Sequence, residues 1–435
     1  MTTAPRLTRR TLLRATVAAG GAALLSSCAG GASGGAVDLA YWNFFTGSDG
    51  ELMVDLVEAY RGEAPGVRLT DTTLMWGSPY YTKLAMACAG GRAPDLATMH
   101  ASRLATFGRD LLDEWDRDEL AARGVTLDEF PQPVQDRVVI DGRLMALPLD
   151  THPLVLYYNT DICERAGLLG ADGSLSPIRS AEQMLDAGRR AAEVTGATGI
   201  AFGAADNFAS WMVFWSTFRQ LGGEMLLPDG GPAEVDRDAM VQAMTFMHDM
   251  CDGTIASGTL DGPAAPAAFA SQQAGFLLIG PWEVTTARTA EIPFSMTQFP
   301  LLYGDTPYAR ADSHSFVLPS RVSVDPAVRS AAYDMAVSML RNSLGWAAGG
   351  GHIPALSAVA ESPEYLAEKP ISNYRDAAQV VAFDPEGYFS GSGSTLMSRA
   401  GQTLQGVNSR ALTPEQGADD LIGWLDQQLR LGSPL

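Results

Sequence analysis

The chain has 435 residues, 46% hydrophobic and 18% charged, with 50 Asp and Glu against 30 Lys and Arg and a formal net charge of −20. That apolar content excludes a disordered chain, and the acidic balance excludes a protein whose affinity comes from neutralising phosphate backbones, so no nucleic acid is expected as a partner. The length exceeds what one hydrophobic core usually serves, and two lobes are the expectation.

The first residues read as an address rather than as fold. Thr8-Arg9-Arg10-Thr11-Leu12-Leu13 carries paired arginines, a weakly apolar stretch follows, and Leu24-Leu25-Ser26-Ser27-Cys28 closes it. The 13 residues from Ala15 to Ser27 are fewer than the roughly 20 a spanning helix needs. The segment is similar to a twin-arginine export signal joined to a bacterial lipoprotein cleavage box. That resemblance implies loss of the signal peptide 1–27, lipid on the sulfur of Cys28, and a place on the outer face of the cell membrane. Residues 28–36, the lipidated Cys and A-G-G-A-S-G-G-A, then form a flexible tether. Cys88, Cys163 and Cys251 remain, an odd set that cannot all pair internally; their apolar neighbours predict buried thiols, and no disulfide is assigned.

Folded structure is predicted to begin with an alternating strand at Val37–Trp42, a helix over Glu51–Arg61 with Leu52, Leu56 and Tyr60 on one face, and a strand at Val67–Thr73 after Pro65-Gly66. Strand, helix, strand with short links is a βαβ unit, and a parallel sheet covered by helices follows from it. A helix over Tyr80–Ala89 and a strand at Leu96–His100 come next, and Leu104–Leu120 is helical in pattern. Asp141-Gly142 predicts a hairpin between Val138–Ile140 and Leu144–Leu147. Helices are expected at Ser180–Val194, where Ser180 and Gln183 suggest a capping box, at Asp236–Cys251, at Pro326–Leu340 behind an Asp325 cap, and from Thr413-Pro414 onward. Met240, Met244 and Met247 share one face and read as core. Gly275–Ile279 reads as a strand buried on both faces, stopped by Gly280-Pro281, which delivers Trp282 and Glu283 to the carboxyl end of a strand, where open α/β sheets place ligands.

Seven pieces stand in order along the chain: Tyr41-Trp42, Gly90-Gly91-Arg92-Ala93-Pro94-Asp95, Asp141-Gly142 leading to Leu147-Pro148-Leu149-Asp150, Tyr157-Tyr158-Asn159, Gly280-Pro281-Trp282, Phe316-Val317-Leu318-Pro319, and Gly351-His352-Ile353-Pro354-Ala355. In that order they resemble the extracellular solute-binding proteins of bacterial carbohydrate importers, family 1, maltose-binding-protein-like. One departure is Pro177-Ile178-Arg179-Ser180-Ala181-Glu182, where the family often shows Pro-x-Thr-Trp-x-Glu. The resemblance implies an α/β periplasmic-binding-protein-like fold, two α/β lobes with parallel-rich sheets joined by a multi-crossing hinge. The first lobe would hold residues 37–149 plus 315–350 and the second 151–313 plus 354–435. Crossings would fall at Asp150-Thr151-His152, Asp312-Ser313-His314 and Gly349-Gly350-Gly351-His352, the glycines lending backbone freedom to a hinge. It also implies a monomeric protein that holds a mono- or oligosaccharide between its lobes and delivers it to ABC permease subunits served by a separate ATPase.

Catalytic signatures are sparse. Lys83 and Lys369 stand outside any phosphate-binding loop, and Gly31-Ala32-Ser33-Gly34-Gly35 lies in the tether rather than at a strand-to-helix turn. No H-E-x-x-H occurs, the five histidines lack metal-ligand spacing along the chain, and neither a metal nor a cofactor is expected. A sugar site needs flat aromatics for ring faces and planar polar groups for hydroxyls. The candidates at strand ends and crossings are Trp42, Trp76, Trp211, Trp282, Asp150, His152, Glu283, His314 and His352. The protein is read as a binding protein and not an enzyme. The alternatives are an exported glycoside hydrolase using Asp150 and Glu283 as its carboxylate pair, or the same fold holding a polyamine or metal chelate.

Overall fold

The computed structural model describes residues 36–108, 110–228 and 230–432. Arg9, Arg10, Cys28 and the tether up to Gly35 lie outside the described residues. From Val37 onward the chain is one compact unit built from two α/β lobes.

The first lobe opens with β1 (Val37–Asn43), α1 (Gly47–Glu63), β2 (Val67–Thr73), α2 (Ser78–Ala89) and β3 (Leu96–His100). The chain crosses through β4 (Asp150–Pro153) into β5 (Val155–Asn159) and continues with α3 (Ala181–Thr195), α4 (Asn207–Gln220), α5 (Arg237–Met250), β6 (Phe276–Ile279) and β7 (Phe294–Gln298). It returns through β8 (Ala309–Asp312) to β9 (His314–Pro319), α6 (Pro326–Arg341) and α7 (Ser343–Gly350). A third crossing at β10 (Ile353–Pro354) leads to the closing helices α8 (Thr395–Asn408) and α9 (Pro414–Leu431).

In the first sheet β1 runs parallel to β2 and β3, and the returning β9 lies antiparallel against β3. The second sheet is mixed: Ile200–Ala201 is parallel to β6, and β5 sits antiparallel between β6 and β7. Strand β6 is buried on both faces, as its unbroken apolar run predicts. Phe276 and Leu278 join a core with Leu156, Phe214 and Met244, while Leu277 and Ile279 point into a second core with Tyr157, Phe269 and Met296. The first lobe has its own core, from Leu39, Tyr41, Leu96 and Met99 to Phe316, Met335 and Trp346.

Local signals set most of the boundaries. Asp236 and Asp325 accept from backbone N–H groups of the first turns of α5 and α6, and Thr413 with Gln416 makes a full capping box. Ser180 caps α3 through the Gln183 N–H, but the Gln183 side chain accepts from Arg179 N–H instead of Ser180, so the box is half formed. Asp141 and Gly142 turn the hairpin with φ of 50° and 78°. The helix expected over Leu104–Leu120 is broken. Gly108 takes φ 56° and ends the first piece at Phe107, Leu112–Asp113 pairs with the end of β9, and Asp116 caps a new helix at Arg117–Ala122.

Cys88, Cys163 and Cys251 are free and buried. Burial pushes the Cys88 thiol up to about 11 and those of Cys163 and Cys251 up to about 12, so all three are protonated at neutral pH. Iodoacetamide at pH 8, read by peptide mass spectrometry, is predicted to alkylate them at least about 100-fold more slowly in the folded protein than in denaturant. Equal rates in the two conditions would refute their placement.

Candidate functional site

The three crossings are stitched side by side into one small sheet. β4 pairs antiparallel with β8, placing His152 opposite Asp312, and β10 pairs antiparallel with β4, placing Pro354 opposite Asp150. Residues distant in sequence thereby meet at one point. The Asp150 carboxylate is fully buried there. One oxygen accepts from His152 Nδ1 at 3.0 Å and the His314 backbone N–H at 3.0 Å; the other accepts from His314 Nδ1 at 2.7 Å and Trp346 Nε1 at 2.7 Å. Burial pushes this carboxyl upward, but His314, His352 and His152 together hold it well below the usual carboxylate range.

The rings around it pack face to face. His152 stacks on His314 at 4.2 Å, and His352 stacks on Trp346 at 4.6 Å. Burial beside His314 lowers His152 to about 4, which keeps it neutral. His352 behaves in the opposite way: burial pulls it down, but Asp49, 3.3 Å from Nε2, and Asp150 raise it. His100, at the carboxyl end of β3, completes the group, with Tyr81 Oη 2.6 Å from its Nδ1 and Phe44 stacked on its ring.

Aromatic side chains continue from this cluster across both lobes. Trp282, half-buried, meets His152 edge-on at 6.1 Å and Phe208 at 5.7 Å. Phe208 in turn meets Trp76, which is 41% exposed and also lies edge-on to His100. Trp76 follows β2 of the first sheet, whereas Phe208 lies in α4 and Trp282 follows β6 of the second sheet. Gly280 makes the Trp282 pose available, because a Cβ there would lie 1.9 Å from the indole. Gly351, at φ 75°, packs against the Pro281 carbonyl, where a Cβ would come within 2.5 Å. Of the predicted glycine triplet, Gly349 and Gly350 are helical, so Gly351 alone supplies the turn.

Of the sequence candidates, Asp150, His152, His314, His352, Trp282 and Trp76 come together. Trp211 does not join them. It is fully buried in the second-lobe core, stacked on Trp215 at 5.2 Å, with its N–H donated to Asp384, because α4 is packed on every side. Trp42 lies apart between β1 and α2, in a groove of about 590 Å³ under the Lys83 ammonium. Glu283 accepts from the Thr286 hydroxyl of its own turn. The five histidines, unpatterned along the chain, become a group of four in space: His100, His152, His314 and His352.

Sequence reasoning missed Phe208, His100, Trp346, and a buried ionic network beside the hinge. In that network Arg310 donates to both oxygens of Asp384, and the Asp312 carboxylate accepts from Ser102 and Ser392. Phe208 and His100 were reachable by the rule that found Trp282. Phe208 stands two residues beyond the helix cap Asp206, which follows the buried Ile200–Phe202 run, and His100 ends a buried strand.

A family model for bacterial extracellular solute-binding proteins matches residues 46–336, more than half the chain. The chain belongs to this family. Like its relatives, this solute-binding protein has two lobes. It is 24% identical over 221 residues to the arabinooligosaccharide-binding protein of Halalkalibacterium halodurans, a match that covers 50% of this chain and 46%, under half, of that relative. Its fold is similar to the GacH receptor of Streptomyces glaucescens, solved unliganded and with acarbose, at TM-score 0.74 and 17% identity over 91% of this chain and 99% of that one. It is equally similar to maltose-bound MalE3 of T. maritima, at TM-score 0.76 and 18% identity over 90% and 100% of the two chains.

Replacing Trp346 by Phe keeps the stacked ring and deletes one donor to the buried Asp150. Urea unfolding is predicted to show a loss of about 1.5–3 kcal/mol, the usual worth of a hydrogen bond to a charged group. A change below about 0.5 kcal/mol, the ordinary scatter of uncoupled substitutions, would mean that the donor is dispensable.

Proposed function

We propose that this protein captures a mono- or oligosaccharide between its lobes and delivers it to an ABC permease driven by separate ATPase subunits. The observation that carries the reading is the aromatic path from Trp76 through Phe208 to Trp282, which spans both lobes. Its rings can receive the C–H faces of sugars, with the planar polar His100 and His152 beside them for hydroxyls. A ligand touching rings of both lobes binds the closed state better than the open one and so drives closure. The oligosaccharides named for the similar proteins support a sugar as cargo. We assign residues 37–149 plus 315–350 to the first lobe and 151–313 plus 354–435 to the second; the cores support most of this division, although Ala355, Leu356 and Val359 pack into the first-lobe core and Ala347 into a core of the second. We further propose that residues 1–27 are a twin-arginine signal, that lipid on Cys28 anchors a monomeric body to the outer face of the membrane, and that residues 28–36 are its tether.

Hydrolysis by Asp150 and Glu283 is the weaker reading. Both oxygens of Asp150 are taken by N–H donors and the group is held ionised, so it has no proton to give a leaving group.

Calorimetry against a panel of mono- and oligosaccharides is expected to yield at least one ligand. Trp282→Ala should weaken it by about 30-fold, the scale of losing a central aromatic anchor worth about 2 kcal/mol. A folded Trp282→Ala protein that binds like the parent would move the site elsewhere, and silence across the panel would remove sugars as the cargo. For the anchor, Cys28→Ser is expected to shift the protein from the membrane fraction to the soluble one; an unchanged distribution would exclude lipidation at Cys28.

A further inference from the structure

Asp150, His152, His314 and His352 each offer a ligand atom, and these atoms all lie within 4.8 Å of one another. All four side chains are almost completely buried, and they arrive on the separate crossings that join the lobes. His352 is the informative member. Neither of its ring nitrogens makes a hydrogen bond, although the ring is sealed from solvent. Its Nδ1 faces Asp150 at 3.7 Å, while its Nε2 has the Asp49 carboxylate 3.3 Å behind it. A buried imidazole whose nitrogens make no well-formed hydrogen bond is costly, even with carboxylates nearby. A carboxylate behind one nitrogen with the other free is the arrangement that orients a metal-binding histidine.

We propose that Asp150, His152, His314 and His352 form a zinc-type divalent cation site that clamps the crossings of the hinge together. Three imidazole nitrogens and one carboxylate oxygen suit tetrahedral zinc. With bonds near 2.0–2.1 Å, tetrahedral ligands stand about 3.3 Å apart. To the same Asp150 oxygen, Oδ2, the Nδ1 atoms of His314 and His352 stand at 2.7 and 3.7 Å and straddle that value, while His152 Nδ1 lies 3.0 Å from Oδ1. Because the four ligand atoms already lie within 4.8 Å of one another, admitting the ion requires drawing the rings inward toward that spacing rather than refolding the crossings. On metal binding at Nδ1, the neutral rings carry their proton on Nε2, and for His352 that proton meets Asp49. The indole N–H of Trp346 and the backbone N–H of His314 continue to hold the carboxylate. The two positive charges of the ion are balanced by Asp150 in the site and Asp49 behind it. The competing role for the same residues is a metal-free carboxylate hub. The proposal is independent of the sugar reading, since metal content is measured without any sugar.

The test uses the untagged protein. After loading with ZnCl2 and passage over a chelating resin, elemental analysis is expected to find about one zinc per chain. Zinc should raise the thermal midpoint by several degrees, and cobalt alone should give the intense visible band of four-coordinate Co²⁺. His314→Gln and His352→Gln should each lose the retained equivalent and the band, while His248→Gln, outside the cluster, keeps both. Zinc-edge X-ray absorption of the wild-type protein should show a first shell of nitrogen and oxygen with imidazole scattering, a readout that stands even where a variant does not fold. Absence of retained zinc together with no thermal shift, an unaltered equivalent in folded His352→Gln, or sulfur in the first shell would each overturn the site.

Discussion

The buried carboxylate of Asp150 is the constraint on which the rest of the hinge depends. A charge removed from water must find partners or it costs several kcal/mol. Asp150 finds them on its own crossing in His152, on the second crossing in the backbone and ring of His314, and in Trp346 at the end of the returning lobe. The four donors come from three stretches of chain, so satisfying one carboxylate fixes the relative positions of the strands that connect the lobes.

A second buried charge group reinforces the same place from the side of the second lobe. Arg310 is fully buried between Asp384 and Asp312, and Asp312 also accepts from Ser102, which belongs to the first lobe. Burial lowers the Arg310 guanidinium, yet Asp384 and Asp312 outweigh it and leave it more firmly protonated than usual. Ionic groups thus cluster around the crossing strands, and the rings of Trp76, Phe208 and Trp282 lie beside them. The division has a physical basis: charges need fixed partners in a dry site, whereas rings accept a ligand face without demanding one geometry.

Much of this was legible in the chain. The βαβ opening, the doubly buried strand ending in Gly280-Pro281, the Asp236, Asp325 and Thr413 caps, and the methionine face of α5 all follow from local chemistry. The helix expected over Leu104–Leu120 failed because apolar spacing was read through Gly108, whose positive φ ends a helix whatever the pattern beyond it. Trp211 was placed near the cleft for its residue type, but α4 is enclosed on all sides and its indole N–H is spent on Asp384. The convergence of His152, His314 and His352, each named singly from the chain, was illegible for a different reason. Metal-ligand spacing along a chain reports only ligands carried by one element, and His152, His314 and His352 come from three.

The sequence by itself determined the α/β class and most of its elements, because hydrophobic period, capping and turn residues act over a few neighbours, and its ordered motifs carried the family resemblance that implied two lobes. Only the tertiary structure decided which tryptophans come together, that Phe208 stands between Trp76 and Trp282, and that the imidazoles of distant segments converge on one carboxylate. Those outcomes depend on the pairing of short crossing strands, β4 with β8 and β10. Pairing across more than a hundred residues leaves no periodic trace in the chain, since strand register is chosen by the packing of whole lobes.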